Sequence, residues 1–152
     1  MKVLFIICSL LVSVCCYAQS ENELFEKSKG TLTPVLKNGI RLKVENIDES
    51  IRPKNAVYIT YSADSARAVF DGKVSEILEI PNHAGDYVIM VSSGDYAISY
   101  SFLRKPIVAV GETVKRGQSM GPLAPVPMGP YYFIMQIYKG ETELNAWEWF
   151  AK

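Results

Sequence analysis

The search for chemistry starts with the single histidine, His83, in the turn-like run Pro81-Asn82-His83-Ala84-Gly85. A zinc hydrolase holds its metal with three protein ligands and keeps one position open. One imidazole leaves carboxylates to supply the rest, and Asp86 and Asp95 are the nearest. Neither has ligand-like spacing with His83 on one strand face. A Ser-His-Asp triad could use only His83, and there is no Gly-x-Ser-x-Gly elbow. Paired carboxylates could serve glycoside chemistry, but nothing singles out two of the 16 acidic residues. No Gly-x-Gly-x-x-Gly run and no phosphate-cradling Gly-rich loop is present. The residues therefore point to no catalytic group, no metal ligand and no cofactor.

Cys8, Cys15 and Cys16 are the three cysteines, and all lie in the first 16 positions. Lys2, the apolar run Val3–Val14 and Cys16-Tyr17-Ala18 before Gln19 make the pattern of a cleaved secretory signal peptide over residues 1–18. The run is short of the ~20 residues that a spanning helix needs. Val14 before Cys15, and Cys15 before Cys16, are poor lipobox contexts, so a lipid anchor is not expected. The mature chain then begins at Gln19 and has no cysteine, hence no disulfide and no thiolate nucleophile. Its expected place is periplasmic or extracellular, with no transmembrane helix after cleavage. The 16 basic and 16 acidic residues balance to a net charge of +0. That excludes a strongly basic nucleic-acid binder. At 49% hydrophobic and 21% charged residues, the chain is too apolar for disorder.

The elements that must position any site read as short strands. Residues 19–28 are polar and too short to pack as a helix alone, so they form a tether or one docked turn. Ile40–Val44 alternates with period two. Strands are expected at Ala56–Tyr61, Val74–Ile80, Asp86–Val91, Tyr96–Leu103 and Phe133–Tyr138, with shorter pieces at Ala66–Phe70, Pro106–Val110 and Met120–Gly121. Asp71-Gly72 reads as a hairpin-type turn, and Tyr96–Leu103 should pair antiparallel with Tyr87–Val91. No stretch holds a 3.6 period over three turns. The fold class is all-β, a sandwich or barrel.

Two segments stand out. Gly121–Pro130 holds Pro122, Pro125, Pro127 and Pro130, four prolines in ten residues, and so lacks ladder donors. It is expected to be a stiff loop, either a structural crossover or a binding loop. From Val108 to Gly121, Gly111 and Gly117 punctuate short β pieces. They predict a tight hammerhead-like corner, with both glycines at positive φ and Val110, Val114 and Met120 pointing into the core. Near the C-terminus, Trp147 and Trp149 flank Glu148. On a strand they would share a face, as a packing lid or as a recognition edge.

These motifs together carry a resemblance. Asp71-Gly72-Lys73-Val74, Gly85–Met90, Tyr96–Leu103 and Val110–Gln118 resemble, in order and spacing, the LytM-type zinc endopeptidase domain of the M23 family. Lys29–Val35 resembles the family's opening Gly-x-Leu-x-x-Pro-Val, and Gly129–Ile137 with Lys139-Gly140 its closing strand. The likeness runs from about Lys29 to Phe150. It implies residues 29–152 as one domain, a β-sandwich with the hammerhead corner that biotinyl and lipoyl domains also share. The modifiable lysine flanked by methionine of those carriers is absent.

The family's histidines are absent too. Its Tyr-Ala-His-Leu histidine falls on Phe102, and its His-x-His pair on Tyr132 and Ile134. Its first ligand pair falls near Lys54 and Tyr58. Phe and Ile offer a metal no lone pair, and without the metal a water stays far too weak an acid to ionise at neutral pH. The resemblance thus implies a degenerate, inactive member. Tyr58, Phe102, Tyr132 and Ile134 are expected to converge on the groove floor, either packed as core or open as an aromatic cleft. Such a cleft suits sugar rings or apolar and proline-containing peptides. The implied function is an envelope binding or regulatory module, with a cell-wall hydrolase, an envelope protein or peptidoglycan as partner. The alternatives are a hydrolase with a remodelled carboxylate site and a hammerhead-type structural or transport-associated module.

Overall fold

The computed structural model describes residues 20–34, 36, 38–42 and 54–151. The expected leader, Val35 and Lys43–Val44 of the first expected strand lie outside them. Ten strands follow along the chain: β1 Ile40–Leu42, β2 Ala56–Thr60, β3 Ser65–Arg67, β4 Gly72–Glu79, β5 Asp86–Ser93, β6 Tyr96–Arg104, β7 Thr113–Val114, β8 Ser119–Pro122, β9 Tyr131–Lys139 and β10 Thr142–Leu144. A 3-10 turn over Ala146–Glu148 closes the chain. The main sheet runs β1-β2-β9-β6-β5-β4-β7, with β10 also on β9, and β3 pairs β8 in a second, two-stranded sheet. All the strand pairings are antiparallel. The all-β expectation holds, and so does the pairing of β5 with β6.

Alternation decides the faces. Tyr96, Ile98 and Tyr100 of β6, Phe133, Met135 and Ile137 of β9, and Ala56 and Tyr58 of β2 are buried on one side of the sheet. Leu103, Met120, Leu123, Val114 and Val74 extend that core toward the small sheet. The Tyr100 hydroxyl accepts the Val69 N–H at 3.1 Å, and burial pushes its pKa up. Aromatic bulk with β-branched neighbours suits such a two-sided apolar fill.

The hammerhead corner forms as its glycines demand. Gly111 and Gly117 stand at φ 91° and 85°, a region open to glycine at little cost. Glu112 pins the turn by accepting the Ala109 N–H at 3.0 Å and the Gln118 amide at 3.1 Å. Val114 and Met120 are buried as expected, but Val110 is exposed. Its neighbour Gly111 donates to the Val74 carbonyl, so the chain meets the sheet edge there by backbone and leaves the Val110 side chain outside.

Of the two readings of the N-terminal segment the docked one holds, as a helix over residues 20–27 that is longer than one turn, and three further expectations are corrected. Phe25 stacks on Tyr96 with centroids 4.6 Å apart and packs against Phe70 and Trp149. Asn22 exchanges two hydrogen bonds of 2.7 Å with Asp95. A short helix is marginal alone, so tertiary contacts hold it. Asp71-Gly72 is no hairpin turn, because β3 pairs with β8 and the chain crosses there to the main sheet. Pro106–Val110 forms no strand. Pro122 ends β8 opposite Ser65, and a strand terminus tolerates a residue without N–H. The free loop thus starts later than expected, beyond Ala124, whose N–H donates to the Phe102 carbonyl.

Candidate functional site

The pairing of β2, β9 and β6 sorts the expected groove residues. Ile134 lies opposite Val57 on one side and Ser101 on the other, and Tyr132 lies opposite Ile59. Directly opposed residues share a face. The face that carries Tyr132 and Ile134 therefore carries Val57, Ile59, Ser99, Ser101 and Gln136. Tyr58 is opposite Phe133, on the core face. It packs against Trp147 at 5.7 Å and Phe150 at 5.9 Å, and burial raises the pKa of its phenol. The expected convergence of Tyr58 with Tyr132 and Ile134 is thus corrected by one residue: Val57 stands where Tyr58 was placed. A register error of one moves a side chain through the sheet.

Lys54 precedes β2. Its ammonium donates to the Glu143 carbonyl at 3.2 Å, and its own carbonyl accepts from Ala146. β10 continues the β9 edge beyond β2, so Glu143 meets Asn55, whose amide donates to it at 2.8 Å. Gln136 reaches the same carboxylate at 3.5 Å and accepts from Ser99 at 3.1 Å. This end of the face is a bonded polar string. Its middle, Val57 and Ile134, is buried and apolar.

Phe102 takes another course. The β5–β6 register shifts between Tyr87 and Ile89, leaving an extra residue on β6 at Ser101–Phe102. Phe102 sits at φ 65°, an outlier for a bulky side chain. The bulge turns its ring out of the sheet's alternation, edge-on to the His83 imidazole at 5.8 Å. There a cleft of about 380 Å³ is lined by His83, Asp86, Phe102, Arg104, Tyr132 and the proline loop at Ala124–Pro127. At its base, Arg104 Nη2 meets Asp86 Oδ1 at 2.6 Å, while Arg104 Nε has no partner. His83 Nδ1 lies 3.9 Å from the same carboxylate.

Of the expected site residues, the structure brings together Phe102, Tyr132, Pro125 and Pro127 in the cleft, with Ile134 two residues along β9 from Tyr132. Pro122 and Pro130 do not line it. His83 and Asp86, set aside as ligands on spacing, line this site together with Arg104, which was missed. The Asp86↔Arg104 pairing across β5 and β6 joins residues that no local pattern connects.

The tryptophan edge is corrected. Both residues belong to a 3-10 turn region rather than a strand, so they go to different neighbours. Trp149 is buried beside Phe25 and Tyr96. Trp147 is half-buried, with the Arg41 guanidinium stacked 3.9 Å above its ring. No exposed pair remains.

Among the described residues, no three His, Cys, Asp or Glu side chains group to hold a metal. The zinc of the resembled family finds no donor set on this face: Val57, Ile134 and Phe102 carry no lone pair, and the cleft adds His83 and Asp86, two side chains of the usual ligand types where three are needed, with Asp86 already paired with Arg104. The residues present do not fit that metal.

No family model matches the chain, and no curated protein does. Solved structures do match in fold. Lysostaphin aligns with a TM-score of 0.56 at 18% identity, over 70% of this chain and 47% of its own. A variant of the catalytic domain of the prophage-encoded M23 protein EnpA from Enterococcus faecalis gives 0.58 at 17% identity, over 76% of this chain and 95% of that one. A chain of the SpoIIQ–SpoIIIAH pore-forming complex gives 0.62 at 16% identity, over 82% and 93%. This chain spans less than half of the lysostaphin chain. At these identities the likeness is one of fold: the chain has the β-sandwich architecture of M23 peptidase domains.

Proposed function

We propose that this chain is an exported, catalytically inactive M23 peptidase-like domain that acts as an envelope binding or regulatory module, on cell-wall hydrolysis. The observation that carries the reading is the cleft itself. It keeps a concave site where Phe102 and Tyr132 stand at the positions that resemble the family's histidines, and it offers aromatic surface instead of metal ligands. Phe and Tyr rings bind apolar faces well, and where they stand in place of histidines they hold no zinc to activate a water. Export rests on the leader pattern of residues 1–18. Among the described residues, no helix is long and apolar enough to cross a membrane. A remodelled carboxylate hydrolase gains no support from the cleft, because such chemistry needs two carboxyl groups across the bond and Asp86 is the only one lining it.

The test uses purified residues 19–152 with peptidoglycan sacculi, with and without added Zn²⁺. The expected result is co-sedimentation with sacculi, or altered cleavage by an added cell-wall hydrolase, and no release of new amino groups in either condition. Zn²⁺-dependent release of amino groups would overturn the inactive reading.

A further inference from the structure

Three features of the cleft, taken together, define the chemistry of its ligand. The first is its walls. The Phe102 and Tyr132 rings are half-exposed, and Pro125 and Pro127 line the same space with apolar rings of their own. Such walls take the C–H face of a compact ring. The second is its floor. Asp86 and Arg104 form an ion pair at 2.6 Å, and Asp86 is buried. The pair is already balanced in charge, so a charged ligand meets no net countercharge there. A neutral ligand needs none. The guanidinium has five N–H donors and the carboxylate about four acceptor positions, so the pair retains capacity for hydroxyl groups. The His83 imidazole and the Tyr132 hydroxyl add donors and acceptors at the rim. The third is the backbone. Extended peptides often bind by adding a strand to an open edge, and the β6 wall of the cleft offers none: Leu103 and Arg104 pair with Tyr87 and Asp86 on one side, while Leu103 bridges Leu123 and the Phe102 carbonyl accepts from Ala124 on the other. The volume of about 380 Å³ lies at the small end for ligand pockets.

We propose that the cleft between the His83 turn and the proline loop binds a neutral saccharide ring, stacked on Phe102 and Tyr132 and hydrogen-bonded through its hydroxyls to the Asp86–Arg104 pair. The inference rests on the reading of the chain as a binding module and names the ligand class of that site. The bulge that holds Phe102 at positive φ has a purpose in this arrangement: it presents an aromatic face that strand alternation would have sent into the core.

The probe is the neutral N-acetylglucosamine tetrasaccharide, titrated into ¹⁵N-labelled residues 19–152. Expected are amide shifts confined to Ala84, Phe102, Arg104, Ala124, Val126 and Tyr132. Phe102→Ala and Tyr132→Ala should each weaken binding at least tenfold. Phe102→Leu keeps the volume without the aromatic face and should weaken it as well, which separates stacking from a folding defect. Met128→Ser, at the fully exposed loop tip, should leave binding unchanged. A tetrapeptide with a free C-terminal carboxylate serves as the rival ligand. If it shifts these amides and the sugar does not, the saccharide assignment falls and the binding-module reading stands. If neither shifts them, the saccharide assignment falls as well, and the binding-module reading is then decided by the sacculus experiment alone.

Discussion

Phe102 concentrates the residue-scale argument. A non-glycine residue in the left-handed region costs roughly 1–2 kcal/mol, so its backbone and its ring pull stability in opposite directions. Phe102→Gly relieves the backbone at φ 65°, whereas Phe102→Ala removes the same ring and retains the strain. Equilibrium urea unfolding should find the glycine variant more stable than the alanine variant by about 1 kcal/mol. Equal stabilities would show that the bulge relaxes without cost. Neither the bulge nor its angle is visible in Tyr100-Ser101-Phe102-Leu103, which reads as plain aromatic-rich strand. Tyr58 teaches the converse. The identity of β2 was legible, but its facing was not. Strand periodicity shows that alternate residues share a side, and only the Tyr58↔Phe133 pairing says which side is core.

At the scale of elements, the N-terminal helix was the least legible part. Residues 20–27 offer only Leu24 and Phe25 as large apolar groups. One of them, Leu24, is 57% exposed, while Phe25 is fully buried among rings. Phe25→Ala should therefore cost about 3–5 kcal/mol, the usual range for emptying a phenylalanine site. Leu24→Ala should stay within about 0.5 kcal/mol. Chemical denaturation of both variants checks the contrast, and a Phe25→Ala cost no larger than that of Leu24→Ala would mean the helix is not held by its aromatic contact. The same segment continues into Leu32, which exchanges backbone hydrogen bonds with Trp149 and Ala151 near the other end of the chain. The proline loop was better read. Pro125 to Pro130 do run free of ladders, for the reason that prolines donate nothing, and the error lay at the start, where Gly121 and Pro122 belong to β8 and Leu123 and Ala124 are still hydrogen-bonded.

For the molecule as a whole, charge pairs far apart in sequence set the pH response. Glu26 is held below its ordinary 4.5 by the Tyr96 hydroxyl and by Lys139. Asp71 is held below 3.8, chiefly by the Arg116 N–H and Lys115, and Glu148 below 4.5 by Lys29. A carboxylate with a depressed folded pKa contributes stability above its unfolded pKa and loses it as pH falls through the folded value. In the other direction, burial and then Glu26 raise Tyr96 above its ordinary 10.0, and its partners raise Lys139 above 10.5. Their contribution is present below the unfolded values and is lost as pH rises. Unfolding free energy should thus be flat from about pH 5 to pH 9 and fall on both sides. Glu26→Gln should flatten part of the acid limb, read from urea midpoints across pH. An acid limb unchanged in that variant would remove Glu26 from the account.

Composition and local pattern by themselves determined that this chain is an all-β domain with a hammerhead corner. Strand alternation, glycine turns and proline breaks are local physics, written in adjacent residues. They also determined which side chains at the resembled positions lack a lone pair, because that is a matter of residue type. Only the tertiary structure decided that Val57 rather than Tyr58 shares the face of Ile134, that Phe102 leaves the alternation, and that Asp86, Arg104 and His83 join Tyr132 and the proline loop around one cleft. The reason is geometric. Register and bulges are fixed by partners outside the strand itself, as when Tyr100 meets Ile89 and Ser101 meets Ile134, and nothing within a strand records which neighbour it will find.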